Sequence, residues 1–509
     1  MYRPIRAHTI PLMRCFAFFT LQSYVNSSTK KKFLDFFCPK CENFVYLCAT
    51  IHEYYLFLYN VMANVIKLRK GLDINLKGKA VGEKTVLKAS EVYALTPDAF
   101  VGMIPKVVVK EGDVVKAGDT LFVNKQCPDV KFASPVSGQV TEVLRGERRK
   151  VLCVKIKADA EQKFTDYGKK DVAALSGEDV CKALLEAGLF GYIDQLPYAV
   201  STTPESKPKA IFVSALRDKP LAADFEVELQ GNEKDFQTGL TALSKMAKTY
   251  LGIGAKQTAD ALVNAKDVEV TVFDGKCPAG NVGVQVNHLD PVNKGEVVWT
   301  VDPSAVIFFG RLFNTGKVNL TRTIAVCGDQ VKNPCYLDVL VGTPLADILS
   351  GNVEEANVRI INGNVLTGTK ASTDDFLGAH SSEVTVISEG DEADELLGWI
   401  MPRTKQFSVN RSYFSWLFGK KEYSLDSRIK GGERRMIMSG EYDKVLPMDI
   451  YGEYLIKAII AEDIDKMEQL GIYEVAPEDF ALAEFVDSSK LELQKIVRNG
   501  LNMLRKENA

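Results

Sequence analysis

The stretch from Val107 to Lys157 constrains the fold more than any other part of the chain. In it, short runs of alternating Val, Leu, Ile and Phe are interrupted by Glu111-Gly112-Asp113, Ala117-Gly118-Asp119 and Pro135-Val136-Ser137-Gly138. Alternation with a period of two is typical of half-buried strands, and a Gly-Asp pair allows the positive φ of a tight hairpin. The sequence therefore predicts a small, flattened antiparallel barrel.

The two half-motifs in this stretch, EGDxVxxGDxL and SPVSGxV, resemble those of biotinyl and lipoyl carrier domains. Such domains place an exposed lysine, which becomes acylated, at the hairpin tip between the halves. Cys127, followed by Pro128, stands there in this chain, and Lys125 lacks the flanking residues of a carrier lysine. We therefore expect the barrel-sandwich fold without the swinging-arm chemistry.

Length and composition limit the classes of protein that the chain can belong to. At 509 residues it is long enough for three or four domains, because single cores rarely exceed about 300 residues. A hydrophobic content of 46% and a charged content of 25% are ordinary for a soluble protein. The net charge of −3 gives no basic footprint for nucleic acid. Ten cysteines without a pairing pattern favour a reducing compartment, the cytoplasm.

Residues 1–61 differ in composition from the rest of the chain. They hold 14 of the 47 aromatic residues, none of the 37 glycines and a charge of +4, which leaves −7 for the other 448 residues. An ordinary soluble pattern begins at Met62, so we expect Met62 to be the true start and the preceding residues to be an upstream translation error.

Two alternatives for this extension remain open. Phe44–Ile66 is apolar enough to suggest a membrane segment, although polar residues interrupt the roughly 20 apolar positions that a span needs. Cys38 and Cys41, with Cys48 and His52, could supply the four ligands of a zinc site. After Met62 no uncharged run is long enough to cross a bilayer.

The region after the barrel predicts an α/β layer. Helical spacing of Val and Leu predicts a helix over Ser176–Leu196, capped at its start with the help of Asp179, and another near Phe236–Lys248. Lys209–Leu216 and Val268–Phe273 predict buried strands. Strand, helix and strand of these lengths favour a right-handed parallel unit, and so a Rossmann-like domain.

This layer carries no complete nucleotide motif. Gly252-Ile253-Gly254 lacks the third glycine of GxGxxG and a convincing preceding strand. Gly280 and Gly283, before a predicted strand, could form an anion-binding nest or a simple turn. His288 could bind a metal together with Cys277, but a structural role is favoured because no further ligand lies at the right spacing.

Thr321–Gly351 predicts a strand, a turn at Gly328, a second strand and a helix with Thr343 as N-cap and Pro344 as first residue. This pattern resembles the soluble-ligand-binding β-grasp module. Such modules bind small molecules or partner proteins, so the pattern does not fix a ligand.

The last hundred residues predict helices. Two sets of apolar residues recur at helical spacing: Ile450, Tyr454, Leu455, Ala458 and Ile459, then Leu493, Val497, Leu501 and Leu504. Ser488 and Ser489 could cap the second helix. No cysteine follows Cys335, so the last 174 residues (509 minus 335) contain no iron–sulfur ligand.

The chain is therefore predicted to be an α+β multidomain protein. Its expected parts are the extension at 1–61, a barrel-sandwich hybrid at 62–160, a Rossmann-like α/β domain at 161–320, a β-grasp module at 321–400 and a helical domain at 401–509.

Eight short motifs, in order from Met62 to the C-terminus, carry a family resemblance: Lys70–Asp73, Pro278–Gly283, Val298–Thr300, Gly310–Gly316, Asn362–Gly368, Ala393–Pro402, Gly440–Asp449 and Glu478–Ala483. With them the chain resembles the A subunits of Na+-translocating NADH:quinone oxidoreductases, which are related to the C subunit of the Rnf complex and to the flavoprotein subunit of complex I. Residues 1–61 match nothing in that family.

The resemblance implies a membrane-bound pump that passes electrons from NADH through flavins and an iron–sulfur centre to quinone and exports Na+. For this chain it implies a peripheral subunit on the cytoplasmic face of the bacterial inner membrane, in contact chiefly with the membrane-embedded quinone-side subunit. FAD, FMN and the iron–sulfur centre are expected on other subunits. On this chain we expect no tightly bound cofactor and no metal, with quinone as substrate, either ubiquinone or menaquinone.

A quinone headgroup needs an apolar slot with one or two hydrogen-bond donors. Phe100-Val101-Gly102-Met103, at the mouth of the barrel, offers an aromatic ring, a thioether and a glycine, although a packed strand entry is the alternative interpretation. The histidine that the family has before Pro-Ala-Gly is Cys277 here, which puts any role of that histidine in doubt. The predicted function is a contribution to quinone reduction, without a complete active site on this chain. The alternatives are an Rnf-type electron carrier and a scaffold subunit.

Overall fold

A computed structural model describes most of the chain: residues 64–354, 356–391, 402–418 and 421–508. From Val65 onwards the described residues belong to one compact unit. The expectations about residues 1–61, and most of the motif Ala393–Pro402, lie outside the described residues. Within the described part, no helix has both the length and the apolar character that crossing a membrane requires.

Two short strands, β1 (Val65–Lys67) and β2 (Lys84–Val86), come first and join sheets formed by later parts of the chain. The next seven strands form two small antiparallel sheets: β3 (Val92–Leu95), β4 (Pro105–Val107), β5 (Val114–Val115), β6 (Thr120–Asn124), β7 (Lys131–Ala133), β8 (Gly138–Arg145) and β9 (Val151–Ala158). The strand orders are β3-β9-β8-β5 and β4-β6-β7. The antiparallel strands that the alternating pattern predicts are confirmed.

The two Gly-Asp turns of these sheets have the same local structure. Gly112 has a φ of +91°, and Asp113 Oδ2 accepts a hydrogen bond of 2.7 Å from the amide of Lys110. The corresponding bond to Asp119 in the second turn is 2.8 Å long. A carboxylate that accepts from its own turn fixes the chain reversal. Cys127 lies in the connection between β6 and β7, as the half-motifs predict.

The central α/β part contains six strands and six helices: α1 (Gly177–Glu186), β10 (Ile193–Leu196), β11 (Val200–Ser201), β12 (Ala210–Ser214), α2 (Phe225–Leu229), α3 (Glu233–Met246), β13 (Lys248–Gly254), α4 (Asp260–Val263), β14 (Glu269–Asp274), α5 (Val282–Leu289), β15 (Val298–Val301) and α6 (Pro303–Thr315). The sheet has the order β1-β14-β13-β12-β15-β10-β11. Its first five strands are parallel, and β10 and β11 add an antiparallel edge.

The start of α1 is as predicted, but its end is not. Ser176 and Asp179 exchange side-chain and backbone hydrogen bonds in a capping box. The prediction that the helix continues to Leu196 is wrong. The helix ends at Glu186, and Gly188 takes a left-handed φ of +69°. A 3-10 turn at Phe190–Tyr192 then leads into β10, which pairs with β15.

The next module has five strands and one helix: β16 (Thr321–Cys327), β17 (Cys335–Leu340), α7 (Leu345–Leu349), β18 (Val358–Asn362), β19 (Thr369–Ala371) and β20 (Glu383–Ser388). With β2 at its edge, the sheet has the order β19-β18-β20-β16-β17-β2. The predicted strand, turn, strand and helix are present. The predicted cap is wrong, because Pro344 occupies the N-cap and the Thr343 hydroxyl donates to the carbonyl of Leu340 at 2.7 Å.

The C-terminal part is helical after a short 3-10 segment at Phe414–Phe418: α8 (Tyr442–Val445), α9 (Gly452–Ile460), α10 (Ile464–Gln469), α11 (Ala481–Val486) and α12 (Leu493–Glu507). The four residues predicted as the apolar face of α12 are all fully buried. Three details differ from the prediction. Ile450 precedes α9 and is half-buried. Tyr454 is 58% exposed and does not join the buried face of α9. Glu492, and not Ser488 or Ser489, is the N-cap of α12.

Candidate functional site

A cavity of about 520 Å³ lies beside the carboxyl ends of the parallel strands β12 and β15. The chain runs from β12 outwards to β13 and β14, whereas β15 lies on the opposite side of β12. The connections therefore diverge at this point and leave a crevice, which is where open parallel sheets usually bind ligands. Loops from the barrel, the β16–β20 module and the C-terminal helices complete its walls.

Four of the motifs that carry the family resemblance meet in this cavity. Its lining includes Gly280–Val282, Thr300, Asn362–Asn364 and Glu478. These residues come from the start of α5, from β15, from the end of β18 and from the segment that leads into α11. Short motifs that are far apart in sequence thus contribute to one site.

The run Arg217-Asp218-Lys219, directly after β12, supplies much of the charge in the cavity. Lys219 Nζ lies 2.7 Å from Glu478 Oε2, and Asp218 Oδ2 accepts a hydrogen bond of 2.9 Å from the amide of Gly280. Burial raises the pKa of Asp218 to about 6, against the lowering effect of the Gly280 amide and of Lys219. The cavity wall therefore contains a carboxyl group that can exchange a proton near neutral pH.

A second carboxyl group of this kind, Asp194 of β10, lines the cavity together with Arg498 of α12. Arg498 donates hydrogen bonds of 2.7 and 2.9 Å to the carbonyls of Tyr198 and Ala199, both of which have positive φ in the turn between β10 and β11. Burial raises the pKa of Asp194 to about 7, and the positive charge of Arg498 opposes this rise. Asp194 can therefore give or take a proton at physiological pH.

Replacing Asp194 by asparagine is expected to stabilise the protein at pH 8 and to change little at pH 4. Because folding raises this pKa from its ordinary 3.8 to about 7, ionisation costs folding free energy that grows between these pH values and is complete above pH 7. We expect a gain of about 1–2 kcal/mol at pH 8, less than the full shift implies, because the side chain is partly exposed. Thermal unfolding of both proteins across this range measures the gain, and a pH-independent difference in Tm would contradict it.

The predicted quinone-binding segment contributes to the site only in part. Phe100 is 2% exposed. The centre of its ring lies 4.4 Å from the ring centre of Phe132, 5.2 Å from that of Tyr192 and 5.4 Å from that of His380. It thereby joins the barrel, the α/β sheet and the β16–β20 module in one aromatic cluster. Only the His380 member of this cluster also lines the cavity.

The next three residues of that segment differ in their surroundings. Val101 is 42% exposed and lines the cavity. Gly102 has a φ of +82°, and its carbonyl accepts a hydrogen bond of 2.9 Å from Arg505 Nη1. Met103 is half-buried, and neither it nor Gly102 lines the cavity. The segment as a whole therefore stays a prediction, with Val101 as its member at the site.

Cys277 and His288 lie in different surroundings. Cys277 is 1% exposed, its amide donates to Asp73 Oδ1 at 3.1 Å, and burial raises the pKa of its thiol. His288 is exposed at the end of α5, with Nδ1 2.9 Å from the carbonyl oxygen of Val284. Among the described residues, no three or more His, Cys, Asp or Glu side chains are grouped so as to hold a metal.

Of the four glycines in the nucleotide and anion predictions, Gly280 lines the cavity, and the other three lie where a Cβ would meet a neighbouring side chain. Gly252 and Gly254 lie inside β13, so the expectation that no strand precedes them is wrong, and a Cβ at Gly252 would lie 2.0 Å from Gln285 Oε1. Gly283 does not precede a strand but lies within α5, where a Cβ would lie 2.3 Å from Asp479 Oδ2. Gly252 and Gly283 let α5 approach the sheet and the segment before α11, and a Cβ at Gly254 would lie 2.7 Å from Leu216 Cδ1.

Four parts of the cavity lining were not predicted from the sequence: Arg217–Lys219, Asp194, His380 and Arg498. A charged run directly after a buried parallel strand is a usable signal for the first of these, because ligand sites form where such strands end. The other three follow no local pattern, since each reaches the cavity only through the packing of distant segments.

Family models match three parts of the chain. The NqrA N-terminal barrel-sandwich hybrid domain matches residues 66–159, the NqrA second alpha/beta domain matches residues 175–318, and the NQRA C-terminal domain matches residues 323–373. The air-oxidized NAD+-reducing NiFe-hydrogenase covers 68% of this chain and 67% of its own at 10% identity, and its TM-score of 0.34 is too low to establish a common fold.

Curated relatives agree with the family models. The A subunit of the Na(+)-translocating NADH-quinone reductase of Yersinia pestis bv. Antiqua (strain Angola) is 36% identical over 450 residues, which cover 87% of this chain and 100% of the relative. Its counterparts in Neisseria meningitidis serogroup A and Haemophilus influenzae (strain PittGG) are 34% and 35% identical, with the same coverage. The chain therefore belongs to the family of A subunits of the Na+-translocating NADH:quinone reductase.

Proposed function

We propose that this chain is a peripheral subunit that takes part in the reduction of quinone to quinol, and that the quinone headgroup enters the cavity beside β12 and β15. The observation that carries the proposal is that four family motifs and Val101 of the predicted segment line this one cavity. Its volume of about 520 Å³ is within the range of small-molecule sites. Val101, Leu196, Ala199 and Leu216 give it apolar walls.

The charged residues suit the proton side of this reaction. Reduction of a quinone to a quinol takes up two electrons and two protons. Asp194 and Asp218, whose pKa values burial raises to about 7 and about 6, can each give a proton to a quinone oxygen and regain one from solvent. Lys219 and Arg498 are cationic donors in the same wall. The electrons are expected to come from the flavins and the iron–sulfur centre of other subunits.

We also infer the fold type of two parts of the chain and the location of the protein in the cell. Five parallel strands whose order reverses direction beside β12 support a Rossmann-like α/β domain, and the β16–β20 sheet with α7 supports a β-grasp module. As a peripheral subunit on the cytoplasmic face of the inner membrane, the chain would contact the membrane-embedded quinone-side subunit. Ubiquinone and menaquinone both fit this proposal.

A soluble short-chain quinone is expected to raise the Tm of the full chain, because a ligand that binds only the folded state stabilises it. The gain is about 1.4 kcal/mol at ten times the dissociation constant. Val101→Trp should abolish the shift, since the larger side chain fills the cavity without disturbing a core position. Phe100→Ala is a poor probe, because removing a buried ring destabilises the protein by itself.

Met103→Ala is the matched control, because Met103 belongs to the same segment but does not line the cavity. It should keep the quinone-dependent shift. The absence of a shift in the wild type would favour the alternative function, a scaffold subunit without quinone contact. An equal shift in Val101→Trp would place the quinone elsewhere.

A further inference from the structure

The 3-10 segment Phe414–Phe418 exposes an unusual amount of apolar surface. Phe414 is 55%, Trp416 45%, Leu417 58% and Phe418 61% exposed, whereas Ser415 is buried and anchors the segment. Elsewhere in the described part of the chain, large exposed apolar side chains occur singly or as neighbouring pairs. A contiguous exposed patch of this kind marks an interaction surface.

The same region is strongly cationic. Between Pro402 and Lys421 the sequence has five Lys and Arg residues and no Asp or Glu, which gives this segment a charge of +5. Since the net charge of the whole chain is −3, the rest of the chain carries −8. The Arg411 guanidinium lies 5.3 Å from the centre of the Trp416 ring, and that of Arg403 lies 5.6 Å from the centre of the Tyr413 ring. The cations therefore lie beside the aromatic rings.

We propose that the lipid-facing patch, formed by Phe414–Phe418 with Arg411, docks directly on a bilayer that contains anionic lipids. Aromatic and aliphatic side chains beside cations match the boundary between lipid headgroups and acyl chains, where rings enter the apolar layer and cations stay with the phosphates. An apolar pocket on a partner protein is a poorer match. Burial in such a pocket would remove the water around the cations and would supply no negative charge in its place. This inference does not depend on the proposed quinone site.

Sedimentation of the full chain with vesicles tests the proposal. We expect binding to phosphatidylcholine vesicles that contain phosphatidylglycerol, and at least about tenfold weaker binding when Trp416, Leu417 and Phe418 are all replaced by alanine. Arg411→Gln should remove much of the dependence on phosphatidylglycerol and on salt. The matched control is Tyr451→Ala with Tyr454→Ala, which removes two aromatic rings that are 69% and 58% exposed and should leave binding unchanged.

Trp416 also allows a direct measurement of insertion. Brominated lipids should quench part of the tryptophan fluorescence of the wild type, and Trp416→Phe should remove that quenched part. Equal vesicle binding by the wild type and the triple alanine variant would overturn the proposal, because another surface would then hold the membrane. Loss of the triple variant from the assembled complex with unchanged vesicle binding would also overturn it, in favour of a protein pocket. The triple variant should keep the quinone-dependent Tm shift, so the two proposals fail separately.

Discussion

Replacing Gly310 by alanine is expected to lower the free energy of unfolding by about 3 kcal/mol. Gly310 lies on α6 where this helix crosses α3, and a Cβ there would lie 1.7 Å from the carbonyl oxygen of Asp235. The contact is reciprocal, because a Cβ at Gly239 of α3 would lie 2.1 Å from the carbonyl oxygen of Val306 on α6. The two helices therefore touch through their backbones.

Two effects of this substitution oppose each other. Alanine is the better helix former by about 1 kcal/mol, which alone would stabilise α6. However, the atoms that a Cβ at Gly310 would meet all belong to the backbone of Asp235, and a helix backbone cannot move aside as a side chain can. Overpacking a tight contact usually costs about 1–3 kcal/mol, and here the helices must separate along their crossing. The steric cost therefore exceeds the gain in helix propensity.

Urea unfolding followed by circular dichroism measures this loss. Gly432→Ala is the matched control, because a Cβ at Gly432 would meet no atom within 4 Å. It should leave the unfolding midpoint nearly unchanged. A Gly310→Ala variant with the midpoint of the wild type would show that α3 and α6 are not in backbone contact. The result would also explain the motif Gly310–Gly316 as a packing signal.

Features that depend on a few neighbouring residues could be predicted from the sequence. The capping box of Ser176 with Asp179 and the turn at Asp113 each close within three residues, so the side chain and its partner appear together in the sequence. The buried face of α12 is equally local, because helical spacing alone selects it. Thr343 shows the limit of such signals, since its hydroxyl finds a nearer acceptor in Leu340 and the cap moves to Pro344.

Features that depend on distant partners could not be predicted in this way. Val65 of β1 pairs with Val272, and Thr85 of β2 pairs with Leu337, so two strands at the start of the barrel region extend other sheets. Parallel pairing needs no adjoining turn and leaves no short-range signal. The cavity could not be predicted for a similar reason. About 300 residues separate Asp194 from Arg498 in the sequence, and the two side chains meet at the cavity only in the folded chain.

Replacing Glu228 by glutamine is expected to lower the free energy of unfolding by about 3–4 kcal/mol. The Glu228 side chain is 3% exposed, and Oε2 lies 3.0 Å from Arg217 Nη1 and accepts a hydrogen bond of 2.8 Å from Ser304 Oγ. Arg322, 1% exposed, donates to Ser304 Oγ at 3.1 Å, and Asp302 is the second carboxylate of the cluster, 3.5 Å from Arg217 and 3.7 Å from Arg322.

The substitution changes this cluster from two cations with two anions to two cations with one anion. A buried charge left without its counter-ion costs about 3–5 kcal/mol, because neither solvent nor a partner compensates it. Asp302 still lies near both arginines, which keeps the expected cost at the lower end. The loss should also loosen the contact between the central sheet and β16, which carries Arg322.

Two further variants separate this cause from a general loss of packing. Arg217→Met combined with Glu228→Gln removes one charge of each sign and should lose less stability than Glu228→Gln alone, because the balance of charge returns. Asp98→Asn breaks the pair with Lys150, which is as short at 2.7 Å but about 60% exposed, and should change stability little. If the double variant were less stable than Glu228→Gln, hydrogen bonding and not charge balance would stabilise the cluster. Because Arg217 and Asp302 also line the cavity, weakening the cluster should also lower the affinity for a short-chain quinone.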